Sequence, residues 1–338
     1  FLGKSRQRVM VPRLRGPHGE IPLKSYQALR KPDVFSDQLL THMLTGMSGR
    51  RYSWLVHDAS ERLGVSPSSV SRHVVQATAR QLQRFRERNL EYFNPFAVLI
   101  DSVHRGGRPF VVALGISEKG EKQVFGFWEG ATENHEVCLE LLSDITERGL
   151  ALHEDVLFIT DGGKGLIKAL RMRFGEQLLH QRCTVHKCRN ILSHLPDRYH
   201  GGARMRFNRA IGMDSYDDAK RELLKLEKWL RPLNESAANS LLEAFEEILT
   251  LHKLNITGLL RRTLRSTNGI ESLFSRVRYT EKNIKRWRSS PMRQRWLGTV
   301  LLHCEKGFRL INGHDQIPVA RGLIKEFRLT LALKEKAA

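Results

Sequence analysis

The feature that most constrains this 338-residue chain is a change of hydrophobic period at residue 97. Before it, from 33 to 85, apolar residues recur every three or four positions, the spacing that lines one face of a helix. After it, "AVLIDSV" (97–103), "RPFVVALGIS" (108–117) and "KQVFGFWEG" (122–130) are runs rich in Val, Ile and Phe, parted by glycine or charge. Such runs predict three strands joined by hairpins. A helical pattern follows at 133–149, then strand "DVLFIT" (155–160), helix 164–174, strand "LLHQRCTV" (178–185) and a further helix from about 187. The chain is therefore expected to build a sheet whose first half is antiparallel and whose second half is made of β-α-β crossovers.

The order β-β-β-α-β-α-β-α is that of an RNase H-like core, an α/β fold with a mixed sheet and helices on both faces. In that order the first and fourth strands are parallel neighbours. Asp101 ends the first run and Asp161 the fourth, so both carboxylates are expected at the sheet edge where open α/β sheets place their ligands. Two like charges so close call for a cation. Carboxylate oxygens suit Mg²⁺, with Mn²⁺ as a substitute, and two such ions about 3.5–4 Å apart suit phosphoryl transfer.

A third carboxylate would complete the set, and the candidate is Glu271 in "RSTNGIESLFSRVRYTEKNIKRWR". Arg278 follows seven residues later, two turns along the same helix face, where it could hold a phosphate. Plainer readings exist for both acid positions. An Asp before Gly-Gly is common turn chemistry, and Asn268 three residues before Glu271 fits a helix capping box. The stretch "GGKG" lacks the spacing of a P-loop.

Charge identifies the class of partner. The chain carries 56 Lys+Arg against 36 Asp+Glu, a net +20, which points to a polyanion. With 41% hydrophobic residues it is no disordered basic tail, and no apolar run approaches the roughly 20 residues of a membrane span. Four scattered cysteines, Cys138, Cys183, Cys188 and Cys304, do not make a secreted disulfide framework, and no signal peptide opens the chain, so a reducing cytoplasm is expected. The chain opens on Phe1 rather than Met, which leaves room for a native segment ahead of it.

Residues 1–30 hold seven basic side chains and one acid, Glu20, with prolines at 12, 17 and 22, and read as an extended arm, hairpin or loop. Within 33–85, "RRYSWLVHDASERLGVSPSSVSRHVVQ" has the form of a helix-turn-helix. Gly64 makes the turn, Ser66 caps and Pro67 suits the first helical position, while Val70, Val74 and Ala77 give the second helix an apolar side. Ser68, Ser69, Ser71, Arg72 and Gln76 are then the groove-facing candidates, with Arg50 and Arg51 as further DNA-binding candidates, although an ordinary helical hairpin would carry the same pattern. Residues 215–253 read as amphipathic helix broken at Pro232. Basic charge concentrates in 261–295, with eleven Lys/Arg against Glu271 and Glu281, and includes Arg276, Arg278, Lys285, Arg286 and Arg288. Trp287 in that run could stack on an exposed base or anchor the segment to the core.

The expected organisation is a basic arm (1–32), a helical DNA-binding region with the helix-turn-helix (33–96), the first part of the core (97–192), an all-helical insertion (193–264), the final part carrying Glu271 (265–312) and a helical tail (313–338).

"LIDSV", "FITDGGKGLIKAL", "QRCTVHKCRNIL" and "STNGIESLFSRVR" occur in an order that resembles the DDE transposases of the IS256 type, related to eukaryotic Mutator-like elements. The likeness spans roughly residues 8–312, and its most specific part is the second Asp followed by C-x-x-H about twenty residues on, then an insertion, then Asn-x-x-Glu. It implies catalytic, metal-holding Asp101, Asp161 and Glu271, binding of terminal inverted repeats and target DNA, and a dimer that synapses two ends. The gaps agree, 161 − 101 = 60 and 271 − 161 = 110, the longer one holding the insertion. Where the family has an Asn-Pro-Leu-Glu-type stretch this chain reads Asn268-Gly269-Ile270-Glu271. The resemblance makes Cys183 and His186 a marker pair near the site, with packing or hydrogen bonding that positions Asp161 as the expected role. With Cys188 they lack the second ligand pair of a structural zinc site.

A rival of another class is a transposase-derived DNA-binding protein without catalysis, and a second is a structure-specific nuclease of the same fold. The presence of all three acids argues against the first and the sequence-reading motif against the second.

Overall fold

The computed structural model describes residues 14–16, 19–21, 40–41, 44, 67–130, 134–282, 284 and 286–337. They fall into two compact units, one formed by 89–274 with 307–338, the other by 1–88 with 275–306.

The second of these units opens with a short antiparallel hairpin, β1 (Leu14–Gly16) and β2 (Gly19–Ile21), within the arm read from sequence. Helix α1 (Pro67–Arg86) covers the stretch read as the second helix of a helix-turn-helix; the residues read as its first helix, turn and Ser66 cap lie outside the described residues. Val74 and Ala77 are buried on α1 while Arg72 and Gln76 are exposed, as its apolar spacing predicts.

The first unit is built on five strands: β3 (Pro95–Arg105), β4 (Arg108–Ser117), β5 (Lys122–Glu129), β6 (Leu157–Thr160) and β7 (Leu179–Arg182). Their order is β5-β4-β3-β6-β7, antiparallel from β5 to β3 and parallel from β3 to β7. Helix α2 (His135–Glu147) connects β5 to β6 and α3 (Lys164–Phe174) connects β6 to β7, while α4 (Thr184–Leu192) follows the last strand. Val98, Ile100 and Phe158 from the sheet pack with Leu141, Ile145, Leu166 and Leu170 of α2 and α3. Residues 95–101 of β3 are buried without alternation because both faces are covered: α2 and α3 pack on Val98 and Ile100, and the chain at Gly269 approaches Leu99. Asn134 caps α2 by accepting from the Glu136 N–H.

Two boundaries differ from the sequence reading. β3 runs four residues past Asp101, because the hairpin with β4 continues to Arg105↔Arg108 after the parallel pairing with β6 has stopped at Ile100↔Thr160. β7 ends at Arg182, so Cys183 is the cap residue of α4 rather than a strand residue. The chain leaves the sheet there because the backbone N–H of Thr184 and its hydroxyl both donate to the Arg265 carbonyl, at 2.9 and 3.0 Å.

Beyond α4 come α5 (Asp197–Ile211), α6 (Tyr216–Leu230), α7 (Glu235–Glu243), α8 (Thr250–Lys253) and α9 (Gly258–Leu264). Leu223, Leu226, Leu230, Leu241 and Ile248 form their core, which Ile191 and Leu192 of α4 join. The break falls at Pro232, as expected, with Asn234 capping α7. Helix α10 (Asn268–Glu281) leads out of this unit, α11 (Ser290–Glu305) follows, and α12 (Ile317–Ala337) closes the chain. In the second unit Arg88 grips Glu305 of α11 at 3.0 Å, and Arg86 of α1 reaches Gln294 at 2.6 Å. In the first, Arg321 of α12 bonds Glu118 and the carbonyls of Pro95 and Asp155, each at 3.0 Å. Among the described residues no helix is long and apolar enough to cross a membrane.

Candidate active site

The last parallel pair between β3 and β6 is Ile100↔Thr160, so Asp101 and Asp161 leave the same register position at the same edge. Asp101 is buried, and its Oδ1 accepts from the Ser102 N–H at 2.7 Å. Burial and the charge of Asp161 push its carboxyl up to about 6, with Glu271 adding in the same direction and the Ser102 N–H and His186 opposing. The three acids therefore share one electrostatic site. Asp161 also fills the turn role read from sequence, since its Oδ1 accepts from the Gly163 N–H at 3.0 Å. The turn bond leaves Asp161 at the same edge as Asp101.

Glu271 stands in the first turn of α10 and is half-buried. The helix start is set by Thr267, a buried residue one position earlier than the cap read from sequence, and Asn268 is exposed. Thr267 Oγ1 lies 3.0 Å from Glu271 Oε1, 3.3 Å from His186 Nδ1 and 3.4 Å from Cys183 Sγ. His186 Nε2 is 3.7 Å from Glu271 Oε1. The marker pair thus grips the third acid through Thr267, where the sequence reading had assigned it to Asp161. Gly269, where the family has Pro, lies close over β3: a Cβ there would come within 3.2 Å of Leu99 Cδ2.

Electrostatics follow this geometry. Hydrogen bonding to Cys183 raises His186 to about 9 against the effect of burial, and the charges of Asp101 and Glu271 add to the rise. Burial pushes the Cys183 thiol up, but hydrogen bonds with His186 and Thr267 outweigh it and leave the thiol below its ordinary value. His186 is positively charged at neutral pH and partly offsets the acids. Cys183, His186 and Glu271 place ligand atoms within 4.8 Å of one another, and the Thr267 hydroxyl contacts all three. The three acids present hard oxygen donors, the kind Mg²⁺ or Mn²⁺ accepts.

Of the predicted DNA contacts, Arg72, Gln76, Arg276, Arg278, Arg286 and Arg288 are exposed and Trp287 is half-buried. Ser68 and Ser69 lie in the first turn of α1. Arg278 is on the same helix as Glu271, seven residues on, and its Nη2 donates to Ser275 at 3.0 Å. Arg50, Arg51 and Lys285 lie outside the described residues. Sequence reasoning missed Thr267; its place just before the acid-bearing helix was the available signal.

The family "Transposase, Mutator family" matches residues 4–309. The transposase for insertion sequence element IS256 in transposon Tn4001 of Staphylococcus aureus is 28% identical over 313 residues, 86% of this chain and 75% of that protein. The transposase for IS6120 of Mycolicibacterium smegmatis is 28% identical over 228 residues, 66% of this chain and 69% of its own. A shorter match, 41% over 80 residues, joins 24% of this chain to 21% of the transposase for IS1201 of Lactobacillus helveticus. The chain belongs to the Mutator family of transposases.

Proposed function

We propose that this chain is a DDE transposase: it binds the terminal inverted repeats of an insertion sequence, cleaves a DNA strand, and joins the 3′-OH to a target phosphodiester. One observation carries the reading. Asp101 and Asp161, 60 residues apart, leave one sheet edge side by side, and Glu271, 110 residues further on, adds to the rise of the Asp101 carboxyl that burial and Asp161 cause. The mixed sheet order, with an all-helical stretch between β7 and α10, supports an RNase H-like core interrupted by an insertion.

The donor set fits two Mg²⁺ ions, or Mn²⁺, held by the three carboxylates, and when bound they would supply Lewis-acid stabilisation of an in-line phosphoryl transfer. The rest falls to side chains of the chain. Thr267 and His186 fix the Glu271 carboxylate, and the Gly163 N–H fixes that of Asp161. Arg278 lies along the helix face of Glu271, in reach of a DNA phosphate. The exposed Arg72 and Gln76 of α1 read the terminal repeat, and the run 276–288 tracks the backbone of the DNA. Trp287 stacks on a base opened at the cleavage point. Two ends must be brought together, which calls for a homodimer.

A strand-transfer assay on labelled candidate ends with Mg²⁺ tests the reading. Cleaved and joined products support it. Binding without any cleavage would identify a DNA-binding derivative, and cleavage of branched DNA without joining would identify a nuclease.

A further inference from the structure

The turn that carries Asp161 rests on a buried polar network reaching into the helical segment. Gly162 has φ +91°, and a Cβ built on it would lie 1.9 Å from Arg182 Nε and 2.5 Å from Arg182 Cζ. The guanidinium of Arg182 is therefore packed directly against the residue after Asp161. Arg182 is only 5% exposed, and its Nε has no hydrogen-bond partner among the described residues. Its grip on the turn comes from its far end: Nη1 lies 3.2 Å from Glu243 Oε1 and 3.6 Å from Glu247 Oε2.

Both acids belong to the helical segment, Glu243 ending α7 and Glu247 four residues beyond. Lys187, 1% exposed, donates to Glu243 Oε2 and to the Ser240 carbonyl, each at 2.9 Å. A second arm reaches the same turn: the Gly162 N–H donates to Thr160 Oγ1 at 3.1 Å, Thr160 Oγ1 pairs with His180 Nε2 at 2.7 Å, and His180 Nδ1 is 3.7 Å from Glu247 Oε1. Without the two acids, Arg182 and Lys187 would be like charges buried side by side, an arrangement that relaxes by moving one of them into water. Arg182, unlike Lys187, lines an open pocket with Lys164 and Ile167 of α3 and is the side chain with room to move, so the turn packed on it would follow.

We propose that Arg182 is a positioning residue for Asp161, and that Glu243 and Glu247 of the helical segment, by anchoring Arg182, set the metal-holding geometry of the active site. The inference rests on the carboxylate reading above. It gives the helical segment a part in forming the catalytic centre itself.

The test measures Mn²⁺ affinity of the full chain, by electron paramagnetic resonance of the free ion, beside thermal melting. Wild type should bind Mn²⁺ more tightly than Asp161→Asn. Glu243→Gln should weaken Mn²⁺ binding about tenfold, in the range of changes that reorient ligands from behind. Glu247→Gln should do the same in lesser degree and serves if the first variant does not fold. Restoring the carboxylate with Glu243→Asp should recover part of the affinity. His252→Gln, a change at another buried side chain of the same segment, should lower the melting point and leave Mn²⁺ affinity as in wild type. Folded Glu243→Gln and Glu247→Gln with wild-type Mn²⁺ affinity would overturn the inference, as would an equal loss in His252→Gln. Equal Mn²⁺ binding by wild type and Asp161→Asn would instead refute the carboxylate reading, and the inference with it.

Discussion

The metal-free active site should be electrostatically strained, and Asp101→Asn should release that strain. In the folded chain the Asp101 carboxyl sits at about 6 instead of 3.8, chiefly because it is buried and faces Asp161. At ~1.4 kcal/mol per pH unit, that displacement costs the folded state about 3 kcal/mol once the group is ionised. The sign follows from proton uptake: between pH 3.8 and about 6 the folded chain holds a proton that the unfolded chain has lost, so stability falls as pH rises through that window. The penalty is complete above pH 6 and absent below 3.8. Asparagine cannot ionise and keeps an oxygen for the Ser102 N–H. Urea unfolding without divalent metal should therefore show Asp101→Asn more stable than wild type by up to about 3 kcal/mol at pH 8, with the gain gone at pH 4. Mg²⁺ at a hundred times its dissociation constant should stabilise wild type by about 2.7 kcal/mol and leave the variant nearly unmoved. A variant less stable than wild type at pH 8 without metal, or a gain of the same size at pH 4, would refute the reasoning.

Arg72→Ala should weaken binding to the terminal repeat by about 1–3 kcal/mol while changing non-specific binding little; an equal loss in both, measured by titration at two salt concentrations, would make Arg72 a phosphate contact. Thr267→Val and Cys183→Ser should each slow strand cleavage about 10- to 100-fold by freeing Glu271, with no zinc released; stoichiometric zinc in the purified protein would contradict this. His252, buried and near the charge of Arg261, is lowered to about 4, so it is neutral in the folded chain. Stability should fall as pH drops from 6.5 to 4, by about 3 kcal/mol in all, and comparison with His252→Gln in urea unfolding isolates that slope.

What the sequence disclosed was what neighbouring residues decide. The helix 164–174 has the ends read from its glycine turn and apolar spacing, and the strand 108–117 those read from its flanking glycines and charge. What it hid depended on partners far along the chain. The extension of β3 past Asp101 belongs to the pairing with β4. Cys183 sits at a helix start because Thr184 bonds Arg265, 81 residues away. The place of Thr267 before the acid-bearing helix was legible, but its part as hub follows from the meeting of Cys183, His186 and Glu271. Glu281, ten residues past Glu271, falls by helical phase on another face of α10 amid basic residues, yet it is buried. Helical phase gives the face of a residue and says nothing of what later packs on it.

The central claim is that three acids at one sheet edge perform DNA strand cleavage and transfer, and the most direct measurement compares their isosteric variants on labelled element ends. Asp101→Asn, Asp161→Asn and Glu271→Gln should each abolish cleavage and joining in Mg²⁺ or Mn²⁺ and leave end binding nearly intact, because removing a carboxylate also lessens repulsion of phosphate. The exposed Glu140, on α2, provides the control: Glu140→Gln should cleave and join as wild type does. Wild-type activity in any one of the three acid variants would show that its residue is not catalytic, and wild-type activity in all three would contradict the account.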